Sequence, residues 1–119
     1  AEHNDLGTLG EDFAADYLAG SGYSILDKNW RFGHREIDIV AIKDKKVIIV
    51  EVKTRDNFDF QTPSETVNRK KQRFIIEAAD KYMELKQLDL EVRFDVITLS
   101  PAGKTFKVNH IEDAFSPVF

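Results

Sequence analysis

Four ionisable residues interrupt two apolar segments in the middle of the chain, and their spacing suits a divalent-metal site. The first segment carries Glu36 and Asp38, and the second carries Glu51 and Lys53 after four consecutive aliphatic residues. Strand side chains alternate between two faces, so each of these two-residue spacings puts both ionisable groups on one face. A charge in an apolar interior costs several kcal/mol unless it is paired, solvated or bound to a cation. The pattern therefore predicts a cleft or a bound ion beside these strands.

A polar connection joins the two segments and sets how they pair. Its sequence is Lys-Asp-Lys-Lys, and a two-residue turn at Asp44 and Lys45 is the simplest hairpin loop that it allows. Paired residues then have numbers that add to 89, the sum of the two turn positions. An odd loop length would shift the register and separate the carboxylates.

In this register Asp38 lies opposite Glu51, and Glu36 lies opposite Lys53. Opposed like charges destabilise a sheet, so the Asp38 and Glu51 pair calls for a positive charge between them. Mg²⁺ favours hard oxygen ligands and is commonly bound by one or two carboxylates together with water and substrate phosphate. Lys53 on the same face could orient a water molecule or stabilise charge developing on a phosphate. The alternative for Glu36 is an ion pair with Lys53 or Arg35, which we favour over metal binding.

Hydrophobic periodicity predicts the elements that position these residues. The apolar residues of the first strand of the hairpin should share its second face: Ile37, Ile39 and Ala41. The remaining pattern predicts, in chain order, a helix over 5–19, a strand over 23–31, a long helix beginning at 62–65, a strand over 91–100 and a short strand over 105–109. The fold class is α/β, a central mixed sheet flanked by helices in the order αβββαββ.

The second helix should carry the basic groups that would meet phosphate. Its predicted start combines an N-cap threonine, a proline at the first helical position and a capping-box glutamate. The predicted apolar stripe is Val67, Phe74, Ala78, Tyr82 and Leu85, and Lys71 falls on it. Lys71 is therefore the best candidate for phosphate contact, followed by Arg69 and Lys70 off the stripe and Arg55 beyond the second hairpin strand. The alternative is that this cluster is a solvated basic face.

Composition is compatible with a small enzyme and excludes several other classes. The 119 residues are 42% hydrophobic, enough for one domain with one core over 1–119. The chain has no cysteine and no apolar run long enough to span a membrane, so we expect a cytoplasmic protein without membrane contact. The net charge of −4 argues against a general nucleic-acid-coating protein, although basic groups could still line one groove.

Several motifs together resemble those of a known family. Three features together resemble the core of the restriction-endonuclease-like, PD-(D/E)XK nuclease superfamily. They are a glutamate on the first helix, a hairpin that carries Asp and then Glu-x-Lys, and a helix that follows the hairpin. Over nearly the whole chain, the sequence resembles the uncharacterised YraN family in Gly10-Glu11, Asn29 with Arg31, residues 36–41 and 50–55, Lys71-Gln72 and residues 93–96. The superfamily includes Holliday junction resolvases.

This resemblance implies an endonuclease that hydrolyses DNA with Mg²⁺ or Mn²⁺. It also implies that the enzyme prefers branched or otherwise structured DNA. It implies Asp38 and Glu51 as metal ligands, Lys53 as the catalytic lysine and Glu11 as an auxiliary acid. The apolar residues of the last ten positions could cover a sheet edge or form a symmetric homodimer suited to paired cuts.

Two other functions remain open from the sequence. The first is a nucleic-acid-binding module that keeps the nuclease fold without catalysis. The second is a protein-interaction domain in which the four ionisable hairpin residues only satisfy one another. Glu11 could likewise be a solvated helix residue, and the turn residue His34 is most simply exposed.

Overall fold

The chain forms a five-stranded sheet with one helix against each face. The computed structural model describes residues 5–55 and 67–117. Along the chain its elements are α1 (Asp5–Gly20), β1 (Ser24–Phe32), β2 (Arg35–Lys43), β3 (Lys46–Thr54), α2 (Arg69–Leu85), β4 (Glu91–Ala102) and β5 (Thr105–Phe115). The predicted fold class and the order αβββαββ are confirmed.

The strands lie in the sheet in chain order, β1 to β5. All neighbours are antiparallel except β3 and β4, which are parallel and are connected through α2. Parallel neighbours need a crossover connection, which antiparallel hairpins do not. The sheet is therefore mixed, as the sequence predicted.

The β2–β3 hairpin has the predicted two-residue turn. Asp44 and Lys45 have φ values of 51° and 62°, and positive φ at both central positions is the geometry of a type I′ turn. The register runs from Lys43 opposite Lys46 to Ile39 opposite Val50. Every pair in this ladder adds to 89, so the predicted register is confirmed for these residues.

The sheet buries aliphatic side chains on both faces. One core lies between the sheet and α2, and it includes Val47 and Ile49 of β3 with Ile75, Ala79 and Tyr82 of α2. The second core lies between the sheet and α1. It includes Ala14, Ala15 and Leu18 of α1 with Ile39, Ala41, Ile48, Val50, Ile97 and Leu99 of the sheet. Burial of β3 on both faces explains its nearly continuous aliphatic sequence.

The second helix does not run unbroken from its predicted start. Residues 62–65, where the start was predicted, lie outside the described residues. The helix begins at Arg69, after Asn68, whose backbone is extended and whose side chain accepts a hydrogen bond from the Lys71 amide. A helix running unbroken from 62 is therefore wrong, because Asn68 supplies an N-cap at this point.

The predicted apolar stripe of α2 is also wrong in part. Phe74 and Leu85 are 37% and 60% exposed, whereas Ile75 and Ile76 are buried. The helix turns a slightly different face to the sheet because this face places both isoleucines in the core.

The last strand is longer than the predicted 105–109. It continues to Phe115 and pairs with β4, so residues 110–115 cover the edge of β4. Phe115 packs against Phe94 with ring centroids 5.2 Å apart. The intervening turn is also shorter than predicted, because Pro101 and Ala102 belong to β4. Within the described residues, no helix is long and apolar enough to cross a membrane.

The close approach of α1 to the sheet depends on a glycine. A Cβ at Gly10 would overlap Thr54 Oγ1 and lie 3.3 Å from Leu99 Cδ1. We expect Gly10→Ala to lower the free energy of unfolding by about 1–3 kcal/mol, because the overlap outweighs the gain in helix propensity. Gly7→Ala in the same helix is the control, since a Cβ there meets nothing within 4 Å and should be neutral or stabilising. Urea unfolding of both variants tests this, and a Gly10→Ala protein as stable as Gly7→Ala would contradict it.

Candidate metal and nucleic-acid site

The candidate site lies where β2 and β3 separate. Their ladder ends at Ile39 and Val50, and beyond it the Asp38 side chain takes the place of a backbone acceptor. Asp38 Oδ2 accepts a hydrogen bond of 2.8 Å from the amide of Val52. The predicted opposition of Glu36 and Lys53 is therefore not formed, because the strands no longer pair at that level.

Strand β2 also departs from the predicted alternation of faces. Ile39 and Ala41 pack in the α1 core as expected, but Ile37 packs in the α2 core. In the neighbouring strand, Asn29 has a φ of 52°, in the left-handed region that asparagine tolerates. It lies between the pairs Lys28–Ile39 and Trp30–Ile37, at the level of Asp38 in the neighbouring strand. The predicted common face for Ile37, Ile39 and Ala41 is wrong for Ile37.

Three carboxylates from two elements converge at this end of the sheet. Glu11 of α1 and Glu36 and Asp38 of β2 each offer an oxygen, and these oxygens lie within 4.8 Å of one another. All three residues are partly buried. Burial and the charge of Asp38 raise the pKa of Glu11, and a hydrogen bond with Asn29 opposes that rise.

Asp38 also contacts the buried carboxyl of Glu51. Glu51 is 5% exposed, and Asp38 forms a hydrogen bond with its side chain. Burial, followed by the charge of Glu51, raises the pKa of Asp38 to about 7. Burial also raises the pKa of Glu51, although Lys71 and Lys53 act to lower it. Burial and their mutual repulsion therefore make it unfavourable for both carboxyls to be ionised at once.

Two lysines flank Glu51 and explain why its charge is the better stabilised. Lys53 Nζ lies 3.6 Å from Glu51 Oε1, and Lys71 Nζ lies 3.9 Å from the same oxygen. Lys53 comes from the same strand, and Lys71 comes from the first turn of α2. Lys71 thus lies beside the carboxylates, and its predicted contact with phosphate stays a prediction. Glu36 does not pair with Lys53 or Arg35 as expected but forms a 3.2 Å ion pair with Arg31, its neighbour in β1.

The other predicted phosphate-binding residues lie around α2 and the end of β3. Arg69 and Lys70 are exposed in the first turn of α2. Arg55 follows β3, where its amide donates to the carbonyl of Leu99. His34 is exposed in the β1–β2 turn, as expected.

A cavity of about 370 Å³ opens beside the carboxylates. Its lining comes from α1 and from the turn end of the β1–β2 hairpin: Gly7, Thr8, Glu11, Asn29, Arg31 and Glu36. From sequence, Asn29 and Arg31 were family-motif residues without an assigned role, and Glu36 was expected in an ion pair more than at a metal. The available signal for all three was the family resemblance.

The donors at this site suit a hard divalent cation. Glu11, Glu36, Asp38 and Glu51 supply only carboxylate oxygens, which are the ligands that Mg²⁺ and Mn²⁺ prefer. A cation near Asp38 would also relieve the repulsion that raises its pKa. The residues present therefore fit such an ion, with Asp38 central because it hydrogen-bonds to Glu51 and has an oxygen within 4.8 Å of the other two carboxylates.

Comparison with known proteins places this arrangement in a family. The sequence model of the family described as "Uncharacterised protein family UPF0102" matches residues 10–99 of this chain. A UPF0102 protein of Flavobacterium psychrophilum is 48% identical over 115 residues, covering 97% of each chain. A UPF0102 protein of Bacteroides thetaiotaomicron is 50% identical over 117 residues, covering 98% of this chain and 97% of its own. The resemblance to the YraN family is thereby confirmed, and the chain belongs to the uncharacterised protein family UPF0102.

Proposed function

We propose that this protein is a Mg²⁺-dependent endonuclease that hydrolyses phosphodiester bonds in DNA, with Mn²⁺ as a substitute. The observation that carries the proposal is the position of Asp38, which contacts buried Glu51 on one side and approaches Glu11 and Glu36 on the other. The sheet and helix order is consistent with the restriction-endonuclease-like core that the motifs resemble. Membership of that nuclease superfamily is part of the proposal.

The residues divide the chemistry among them. Asp38 and Glu51 would hold the ion, and Glu11 would assist from α1. A bound divalent ion would polarise the scissile phosphate and lower the pKa of an attacking water. Lys53, 3.6 Å from Glu51, would donate to a phosphate oxygen as negative charge develops there.

The basic residues of α2 would hold the nucleic-acid backbone. Lys71 already lies at the site, 3.9 Å from Glu51, and would move to a phosphate once a cation neutralises that carboxylate. Arg69 and Lys70 precede it in the exposed first turn, and Arg55 follows β3. A helix N-terminus also favours phosphate, because its unpaired amides and dipole present positive charge. We extend the proposal to branched or otherwise structured DNA by analogy with the resolvases alone.

The direct test is cleavage by purified protein. We expect nicking of DNA in Mg²⁺ or Mn²⁺ and no nicking in EDTA, with plasmid, flapped and four-way-junction DNA as substrates. Glu51→Gln should reduce the rate at least about 100-fold, since even residues that only orient metal ligands contribute 10–100-fold. Glu91→Gln is the matched control, because the Glu91 side chain is 79% exposed and pairs only at the surface with Lys46. Equal cleavage by wild type and Glu51→Gln would refute the proposed site.

The ion pairs at Glu51 favour a second candidate function. Lys53 and Lys71 already partly neutralise Glu51, so the cluster could be structural in a nucleic-acid-binding or protein-interaction module. Such a module would bind no divalent cation at this site. Titration with Mn²⁺, followed by paramagnetic broadening of NMR signals around Asp38, separates the two functions: selective broadening supports the nuclease, and uniform spectra support the module.

A further inference from the structure

Two exposed aromatic rings lie on the α2 side of the sheet, outside the carboxylate site. Phe32 ends β1 and is 41% exposed, and Phe74 in α2 is 37% exposed. Neither ring is needed for the metal chemistry. Both lie among cationic side chains, although the whole chain has a net charge of −4.

Phe74 lies between cations from two elements. The guanidinium of Arg35 lies 5.0 Å from the Phe74 ring centroid, and Lys70 Nζ lies 5.9 Å from it. Arg35 also pairs with Glu77, one turn further along α2. These contacts fix Arg35 beside the ring while more than a third of Phe74 stays accessible to a ligand.

Phe32 forms the outer ring of a stacked aromatic pair. Its ring is nearly parallel to that of Trp30, with centroids 6.4 Å apart and an interplanar angle of 8°. Trp30 in turn packs edge-on against buried Tyr82 with centroids 5.1 Å apart. Lys81 Nζ lies 5.3 Å from the Phe32 centroid. Trp30 therefore supports one face of the Phe32 ring, and Lys81 lies near the ring.

These residues form one strip that leads away from the candidate site. Lys70, Phe74, Glu77 and Lys81 follow at helical spacing along one side of α2, over about 16 Å. Arg35 and Phe32, which pair in register, join the strip from the β1–β2 hairpin. The strip begins at the helix end where Lys71 reaches Glu51. It contains three cations and one carboxylate, Glu77, which pairs with Arg35. Lys81 also forms an exposed 3.4 Å ion pair with Glu84, which a phosphate would have to replace.

We propose that this aromatic and basic strip binds single-stranded DNA, whose bases stack on Phe74 and Phe32 while its phosphates contact Lys70 and Lys81. Exposed aromatic rings flanked by cations are the usual surface for unpaired nucleic acid, because every base offers a π-face. Bases inside a duplex have both faces covered by their neighbours, so the two phenyl rings would have little to stack on there. The inference rests on the proposed nuclease function for its biological meaning: it makes the substrate one with an unpaired segment beside the cleaved bond.

Fluorescence anisotropy with a labelled oligothymidylate tests the binding without any cleavage, because it is done in EDTA. We expect wild type to bind the single strand at least about tenfold more tightly than a blunt duplex of equal length, and Phe74→Leu to weaken single-strand binding about tenfold. Phe32→Leu should have a similar effect, and Phe74→Trp should retain binding because it keeps a stacking face. Lys70→Ala should lower the slope of log K against log salt by about one.

Leu90→Ala is the matched control, because Leu90 is 37% exposed, like Phe74, but lies in the α2–β4 connection. Circular dichroism verifies that each variant is folded. Unchanged binding in Phe74→Leu and Phe32→Leu, or a preference of wild type for duplex, would overturn the inference. Such a result combined with intact metal-dependent cleavage would leave the proposed nuclease standing. If wild type binds the single strand as expected but shows no metal-dependent cleavage, the proposed nuclease function is rejected and the binding strip is not.

Discussion

Asp38→Asn is expected to stabilise the fold at pH 8 while it abolishes the proposed metal-dependent cleavage. The pKa of Asp38 is raised to about 7 in the folded protein, first by burial and then by the charge of Glu51. In an unfolded chain it is about 3.9. The folded state therefore binds more protons than the unfolded state between about pH 4 and 7, and stability falls as pH rises through that window.

Asparagine removes this pH-dependent cost without changing the size of the side chain. Its Oδ1 can still accept the hydrogen bond from the Val52 amide. Because one pKa unit corresponds to about 1.4 kcal/mol, we expect Asp38→Asn to be more stable by about 1–4 kcal/mol at pH 8, with little advantage at pH 4. Urea unfolding across this pH range measures the difference.

Mg²⁺ should act on the two proteins differently. A cation bound to the folded state alone stabilises it by mass action, so Mg²⁺ should raise the unfolding midpoint of wild type more than that of Asp38→Asn. Asp80→Asn is the control, because Asp80 is exposed on α2 and should change neither stability nor its Mg²⁺ dependence. If Asp38→Asn is less stable than wild type at pH 8, the ionised carboxylate stabilises the folded state, and the expected cost of its burial is contradicted.

The second large effect is expected at Asp95, far from the carboxylate cluster in the sequence. Asp95 is fully buried in β4 and accepts two hydrogen bonds from Arg93, at 2.9 and 2.8 Å. His110 Nε2 lies 2.7 Å from Asp95 Oδ2, and the Asp113 amide donates to Oδ1 at 3.0 Å. Tyr23 accepts a further hydrogen bond from Arg93. The network thus ties β5 to β4.

Asp95→Ala should lower the free energy of unfolding by about 3–5 kcal/mol, because it leaves the poorly exposed Arg93 with only the exposed Glu112 as its counter-charge. That is a large share of the roughly 5–15 kcal/mol typical of a domain. The control is Asp12→Ala, which breaks the exposed ion pair with Lys28 and should cost no more than about 1 kcal/mol. Thermal and urea unfolding of both variants compare the two costs, and similar losses would contradict the assigned network.

The contribution of Asp95 to the free energy of unfolding should depend on pH with a sign opposite to that of Asp38. Burial alone would raise the pKa of Asp95, but hydrogen bonds from His110, Arg93 and the Asp113 amide outweigh it, so the pKa is lowered. Its stabilisation is complete above the unfolded pKa of about 3.9 and is lost as pH falls through the folded value. Wild type should therefore lose stability steeply below about pH 4, and Asp95→Asn should show a weaker loss there.

Local chemistry made much of the fold predictable. The two-residue turn at Asp44 and Lys45 set a register that the structure reproduces from Ile39 to Lys43, because adjacent strands joined by a short turn have few alternatives. The aliphatic run of β3 indicated burial on both faces, and the family motifs pointed to Asp38, Glu51, Lys53 and Glu11. These signals lie within short stretches of sequence, where spacing fixes geometry.

Contacts between residues that are far apart in the sequence could not be predicted from such short-range patterns. Ile37 packs in the α2 core, and the β2–β3 ladder ends at Ile39 opposite Val50, although the alternation of β2 is regular in sequence. The Tyr17 hydroxyl meets His110 Nδ1 at 3.1 Å across 93 positions, a pairing that no local pattern encodes.

The sequence by itself determined the element order, the hairpin register and the family, because turn chemistry, periodicity and motif spacing act over a few residues. Only the tertiary structure decided that Glu36 joins Glu11 and Asp38, that Lys71 reaches Glu51, and that Asp95 closes a buried network. These features depend on how the two helices pack on the sheet. Packing brings together side chains whose separation in the chain carries no information about their distance in space.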